Sequence, residues 1–243
     1  MTLSRPEWHI PDTVRARFTV RDGGVSDPPF HSWNLSAHVG DDPGAVGENR
    51  MRLRTFLPAA PRWLRQAHTA RAASAEEIET DATVADAAYT FAAGVVCAVT
   101  VADCLPVLFY AADGGGVAAA HAGWRGLSAG VLENTAAVLR ANGGGELRAW
   151  IGPAIGGAHY EIGAKVRAAL RRDGGDDECF VARGGGKWLA DLPRLAARRL
   201  RDLDVETTAS GLCTYSTARE FFSARRDGVR CGRIAAMIWK DAT

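Results

Sequence analysis

Between residues 95 and 121 the chain is almost continuously apolar, and no other feature constrains its fold as much. VVCAVTV and LPVLFY are separated only by Ala102, Asp103 and Cys104, and GVAAAH follows a glycine-rich turn at residues 113–116. Short apolar runs bounded by turn residues read as β-strands. A strand with one wet face alternates polar and apolar residues, and these do not. They are therefore expected in a sheet covered on both faces. With 243 residues, 47% of them hydrophobic, the chain has enough apolar material for such a core without disulfide staples.

Around that centre, alternation of Val14, Ala16, Phe18 and Val20 predicts a half-buried strand over 13–21. A long irregular stretch, residues 23–43, follows. Its Phe30, Trp33 and Leu35 argue for an ordered loop that covers a site. Val46, Leu53, Phe56 and Leu57 predict a helix over 43–57, with Asp41 or Asp42 as its cap. RWLRQAH reads as a short strand ending at His68, and LRAWIG as a buried strand stopped by Pro153. Helices are expected over 126–141, closed by Asn142 and Gly143, and over 163–172 and 191–203. The tail reads as a hairpin around Asp227 and Gly228. With no repeat and no linker, residues 1–243 are expected to form one α+β domain.

The formal net charge is +1, which gives no reason to expect a nucleic-acid or membrane partner. No run approaches the roughly 18 apolar residues of a membrane helix, and MTLSRPEWHIPD lacks the apolar core of a signal peptide. Five widely spaced cysteines, an odd number, do not make a disulfide framework. A cytoplasmic protein, monomeric or weakly homo-oligomeric, is the expectation.

Three residues stand where an apolar strand gives way to a turn: His68, Cys104 in ADCLP, and His121 in HAGWRG. Taken singly, the cysteine reads as a small core residue and each histidine as a structural one. Taken together, two imidazoles and a thiolate with an open fourth position make a catalytic zinc set. Asp103 or Gln66 is placed to orient an imidazole. In HAGWRG the glycines let the chain turn into a helix near Leu127, so that free amides and Arg125 would attract an anion. The alternative is an ordinary strand-to-helix turn. His38 and Asp41 are polar loop residues that could meet a ribose or phosphate, or simply form a solvated turn, and Glu76, Glu77 and Glu79 read as a solvated face.

The strings GVSDPPFHSWNLSAHVGDDPGAVGENR, RQAH, TVADCLPVLF, HAGWRG, IGPAIGGAHYEIG and FFSARRDG–GR occur in this order. Through them, from about residue 23 to 239, the chain resembles the family first labelled multicopper polyphenol oxidases, or laccases, and later described as zinc-dependent purine nucleoside phosphorylases and adenosine deaminases. The resemblance implies that His68, Cys104 and His121 ligate the metal. It implies phosphorolysis of adenosine, inosine and S-methyl-5′-thioadenosine, with deamination of adenosine. It also implies a layered α/β sandwich with mixed sheets, similar to cysteine-hydrolase-like toxin domains. The sequence departs from the family at Thr69, where Gly is usual, and at Ala224 and Cys231, where Tyr and Thr are usual.

For those activities, Arg125 and Arg50 are expected to hold phosphate, with His38 and Gln66 facing the substrate and Asp103 moving protons. Laccase chemistry fails on counting, because a multicopper set needs more imidazoles than six histidines supply outside this cluster; copper is expected only as an adventitious occupant. A metal-free cysteine hydrolase or amidase with Cys104 as nucleophile, including one that edits cell-wall precursors, is the rival reading. A non-enzymatic binding module is a third.

Overall fold

The computed structural model describes residues 3–143, 145–172 and 176–241. In chain order its strands and helices begin with β1 (Leu3–Ser4), β2 (Val14–Thr19), α1 (Pro43–Arg54), β3 (Ala72–Ser74) and β4 (Ala87–Thr90). The three apolar runs follow as β5 (Cys97–Val101), β6 (Leu105–Ala111) and β7 (Val117–Ala122). Then come α2 (Trp124–Ala129), α3 (Val131–Ala141), β8 (Leu147–Ile151), β9 (Glu161–Gly163) and α4 (Ala164–Leu170). The chain ends with β10 (Phe180–Gly184), β11 (Lys187–Ala190), α5 (Leu192–Arg201), β12 (Val205–Ala209), α6 (Ala224–Asp227) and β13 (Ile234–Lys240).

Every residue of β6 and β7 is buried, as runs without alternation require. They lie at the centre of a six-stranded sheet ordered β12-β8-β6-β7-β4-β3, whose outer pairs are parallel and inner pairs antiparallel. On one face Leu105, Val107 and Phe109 pack with Leu127, Leu132, Leu195 and Leu200 of the helices. On the other face Leu108, Tyr110, Val117 and Ala119 meet a second sheet, ordered β1-β2-β13-β5, through Ala16, Phe18, Val99 and Ile238. The far side of that second sheet is closed by α1 and the 23–42 loop through Trp33, Leu35, Leu53, Met237 and Trp239. The layers thus run helices, mixed sheet, antiparallel sheet, helix with loop. This is the mixed-sheet α+β sandwich expected from the sequence. A small antiparallel sheet, β10-β11-β9, adds Ile162, Phe180 and Ala190 to the core on the helical face.

The long loop is ordered by one buried side chain. Asn49 of α1 accepts from the Val25 amide and donates to Ser26 Oγ and to the Ser32 and Asn34 carbonyls. Gly24 is needed beneath it, because a Cβ there would lie 2.2 Å from the Ser32 carbonyl oxygen. Asp42 caps α1 by accepting from the Ala45 amide.

Four expectations are corrected. RWLRQAH forms no strand: its backbone makes only isolated β-bridges, at Arg62 and Arg65, and His68 lies in a turn. The tail forms no hairpin; α6 leads to β13, which pairs with β2 and β5 instead. The 126–141 helix is two helices, because Gly130 adopts φ +92° and breaks the ladder. Glu76 is more than a solvated charge, since Ser74 and Thr90 both donate to it. Among the described residues no helix is long and apolar enough to cross a membrane.

Two-face burial of β6 sets a direct test. Leu108→Ala, facing the second sheet, and Phe109→Ala, facing the helices, are each expected to cost about 2–5 kcal/mol in urea unfolding. A cost below about 1 kcal/mol for either would mean that its face is not a packed layer.

Candidate metal centre and pocket

The register of the central sheet brings three chain segments to one end. β6 runs antiparallel to β7 with Leu105 opposite Ala122, which sets Cys104 beside the end of β7. His121 lies on the inter-sheet face of β7 with Val117 and Ala119, at the point where that face opens into a pocket. β4 pairs with β7 so that Ala87 lies opposite Ala120 and the His121 amide donates to the Asp86 carbonyl at 2.7 Å. The lead-in to β3 then carries His68 over this edge, with φ +59°.

One nitrogen of each imidazole and the Cys104 sulfur lie within 4.8 Å of one another, and His68 Nε2 is 3.9 Å from Cys104 Sγ. A tetrahedral zinc ion with these donors holds them about 3.3–3.6 Å apart, so drawing the donors together by about an ångström seats one ion. His121 is buried, Cys104 half-buried and His68 exposed, which leaves the open side of the group facing the pocket. The close packing requires Gly123: a Cβ there would lie 2.7 Å from Cys104 Sγ and 2.9 Å from His68 Cδ2.

The group that orients His121 is Asp86, which the sequence reading missed. His121 Nδ1 donates to Asp86 Oδ1 at 2.8 Å, turning Nε2 toward the cysteine. Asp86 is fully buried. Burial alone would raise its pKa, but the His121 hydrogen bond and charge and the Thr69 donors bring it down to about 2. Burial likewise opposes the Cys104 thiolate and the His121 cation. Their mutual attraction wins, helped by His68 at the sulfur and Asp86 at the ring. The thiol falls to about 6 and the imidazole rises to about 9. In the metal-free protein these directions favour a thiolate beside an imidazolium. With metal, the cation takes the place of that proton.

The other expected residues divide. His38 and Gln66 line the pocket, of about 340 Å³, together with His68, Cys104 and His121. Gln66 does not orient a ligand: its amide exchanges hydrogen bonds with the Thr100 backbone. Asp103, at φ +90°, accepts from the Thr214 hydroxyl at 2.6 Å and the Arg225 amide at 2.7 Å, and does not line the pocket. It shapes the turn before Cys104, and this placement does not support proton transfer to substrate. Arg50 is engaged by Asp81, the Leu35 carbonyl and the Trp63 ring, which does not support the expected phosphate role. Arg125 is exposed and stacked on Trp124 at the start of α2, a helix of only six residues. Asp41 accepts from Ser26 and Asn34, holding the loop rather than facing the pocket. Among the described residues the arginine that lines the pocket is Arg233, beside Ala224 and Val229, with its guanidinium donating to the Val229, Cys231 and Gly232 carbonyls. Only the GR at the end of the tail motif pointed to it in the sequence.

Fold and site together define a mixed α+β protein with a single Cys/His₂ group, among the described residues, at a strand-end pocket. The chain belongs to the family described as multi-copper polyphenol oxidoreductase laccase, which matches residues 15–241. It is 45% identical over 237 residues to the Escherichia coli K12 protein named purine nucleoside phosphorylase YfiH, covering 96% of this chain and 97% of that one. It is equally similar to Pseudomonas aeruginosa purine nucleoside phosphorylase PA4543, with 96% of each covered. Among solved structures, Neisseria meningitidis protein NMB0706 superposes with a TM-score of 0.91 at 40% identity, covering 99% of both chains. YlmD from Geobacillus stearothermophilus gives 0.86 at 28% identity, covering 95% of this chain and 93% of that one.

In the metal-free protein a lowered thiol pKa moves alkylation to acid pH. The Cys104 peptide is expected to react with iodoacetamide along a curve rising through about pH 6. His121→Ala removes the main counter-charge and is expected to move the curve up. Cys97, whose thiol burial pushes far up, should stay unlabelled. A Cys104 midpoint near 8.5, as for an ordinary thiol, would contradict the thiolate–imidazolium pair.

Proposed function

We propose that this protein is a zinc-dependent purine nucleoside phosphorylase acting on adenosine, inosine and S-methyl-5′-thioadenosine, with a second activity as an adenosine deaminase. The observation that carries the reading is the convergence of His68, Cys104 and His121, open on one side, at the base of a pocket in a chain 45% identical to proteins named for this activity.

Two imidazoles and a thiolate suit zinc, and copper competes for the same donors. Zinc held there supplies Lewis-acid polarisation to an oxygen nucleophile. The rest is the work of side chains. Leu64, Val39, Val101 and Val229 offer apolar walls for the purine and sugar. Arg233, whose guanidinium is held by the Val229, Cys231 and Gly232 carbonyls, brings a fixed positive charge to the pocket wall for phosphate, whose oxygen attacks ribose C1′ as the bond to purine N9 breaks. In deamination, water adds at purine C6 and ammonia leaves. No carboxylate lines the pocket among the described residues, so His38 is the group assigned to carry the proton. Five free cysteines suit a reducing cytoplasm.

A second reading has its own observation. The Cys104 sulfur lies within 4.8 Å of a His121 ring nitrogen, and His121 is held by Asp86, so nucleophile, base and orienting carboxylate stand in the order a metal-free thiol hydrolase uses.

Incubation with adenosine, with and without phosphate, separates these readings. Phosphate-dependent release of adenine and ribose 1-phosphate, and phosphate-independent formation of inosine, are expected. Cys104→Ala should lose the bound zinc and at least about a hundredfold in both rates. Full activity in that variant, or silence toward every nucleoside, would remove the proposal. Iodoacetamide-sensitive amidase activity in metal-free protein would establish the second reading.

A further inference from the structure

Asp86 is not one of the three ligating groups, yet it touches the segments that carry two of them. One oxygen, Oδ1, accepts from the His121 ring at 2.8 Å and the His68 amide at 3.0 Å. The other accepts from the Thr69 amide at 2.6 Å, the Thr69 hydroxyl at 2.8 Å and the Ala67 amide at 3.2 Å. Three successive amides pointing at one anion form a nest, and a nest bends the backbone through the left-handed conformation that His68 adopts at φ +59°. Without that carboxylate, a non-glycine residue has little reason to hold such a conformation. The anion therefore fixes His121 through its ring and His68 through its backbone.

We propose that Asp86 is the positioning residue of the metal centre, setting its affinity by holding both histidines at once, with the Thr69 hydroxyl as an accessory donor. This rests on the metal-binding half of the functional reading and not on the identity of the substrate. Asn at position 86 keeps the shape, but it loses the charge and turns an amide group toward N–H donors. A purely structural carboxylate would, when replaced, lower the melting temperature of the metal-free protein and leave metal affinity alone. Thr69 offers a milder probe: Val keeps its shape without the hydroxyl, and Ser keeps the hydroxyl.

The test is chelator competition for zinc on purified protein, with cobalt(II) substitution to read the thiolate-to-metal charge-transfer band. Asp86→Asn is expected to weaken zinc binding about 10–100-fold and to diminish the cobalt band. Thr69→Val should weaken it about fivefold, the worth of one hydrogen bond, and Thr69→Ser should match the wild type. A folded Asp86→Asn protein that binds zinc within twofold of wild type overturns the proposal. If that variant does not fold, unchanged affinity in Thr69→Val overturns it. Wild-type protein that binds neither metal removes the metal centre itself, whereas absence of nucleoside turnover touches only the substrate reading.

Discussion

A fully buried carboxylate is among the most costly groups a fold can hold, and Asp86 is tolerated because five donors converge on it. Those donors come from the turn before β3 and from the end of β7, while Asp86 itself opens β4. Satisfying one charge therefore requires three segments of the chain to arrive together. The same requirement brings His68 to His121. Cys104 completes the group because β6 begins where β7 ends, and Gly123 lets the two approach.

The layers explain why this end of the sheet is open to a ligand. Along β6 and β7 both faces are sealed, one by helices and the other by the second sheet. At the strand ends the two sheets part, and the space is lined by Gln66, by Thr100 and Val101 of β5, and by Ser36 and His38 of the long loop. That loop owes its order to Asn49, a polar side chain buried under it, rather than to repeating structure. One strand carries His121, turns anchored to the neighbouring strands carry Cys104 and His68, and irregular segments shape the pocket around them.

The central strands were legible because apolar runs without alternation have few other solutions, and the start of α1 because Asp42 caps it and Val46 and Leu53 face the core; the helix stops at Arg54, short of the expected 57, and leaves Phe56 exposed. Cys104 and His121 were legible as Cys and His at the ends of apolar strands, whereas His68 was read onto a strand that does not form, and the family resemblance joined the three. Asp86 was not, because an aspartate in TVADAAYT carries no mark of the pairing register that sets it opposite His121. Asp103 and Arg50 looked functional for their residue type, yet tertiary partners engage them elsewhere. The hairpin expected in the tail failed for a related reason: Asp227 and Gly228 do mark a turn, but β13 finds its neighbours in distant β2 and β5.

The family carries a multi-copper description, and the structure bears on it. A blue-copper centre and a trinuclear cluster need several imidazole sets, whereas the described residues assemble one group of three donors. X-ray absorption at the metal edge of protein purified without added metal tests this most directly. One zinc per chain is expected, with one sulfur donor at about 2.3 Å and two nitrogen donors at about 2.0 Å. Several coppers per chain, or a single metal with no sulfur in its shell, would contradict it.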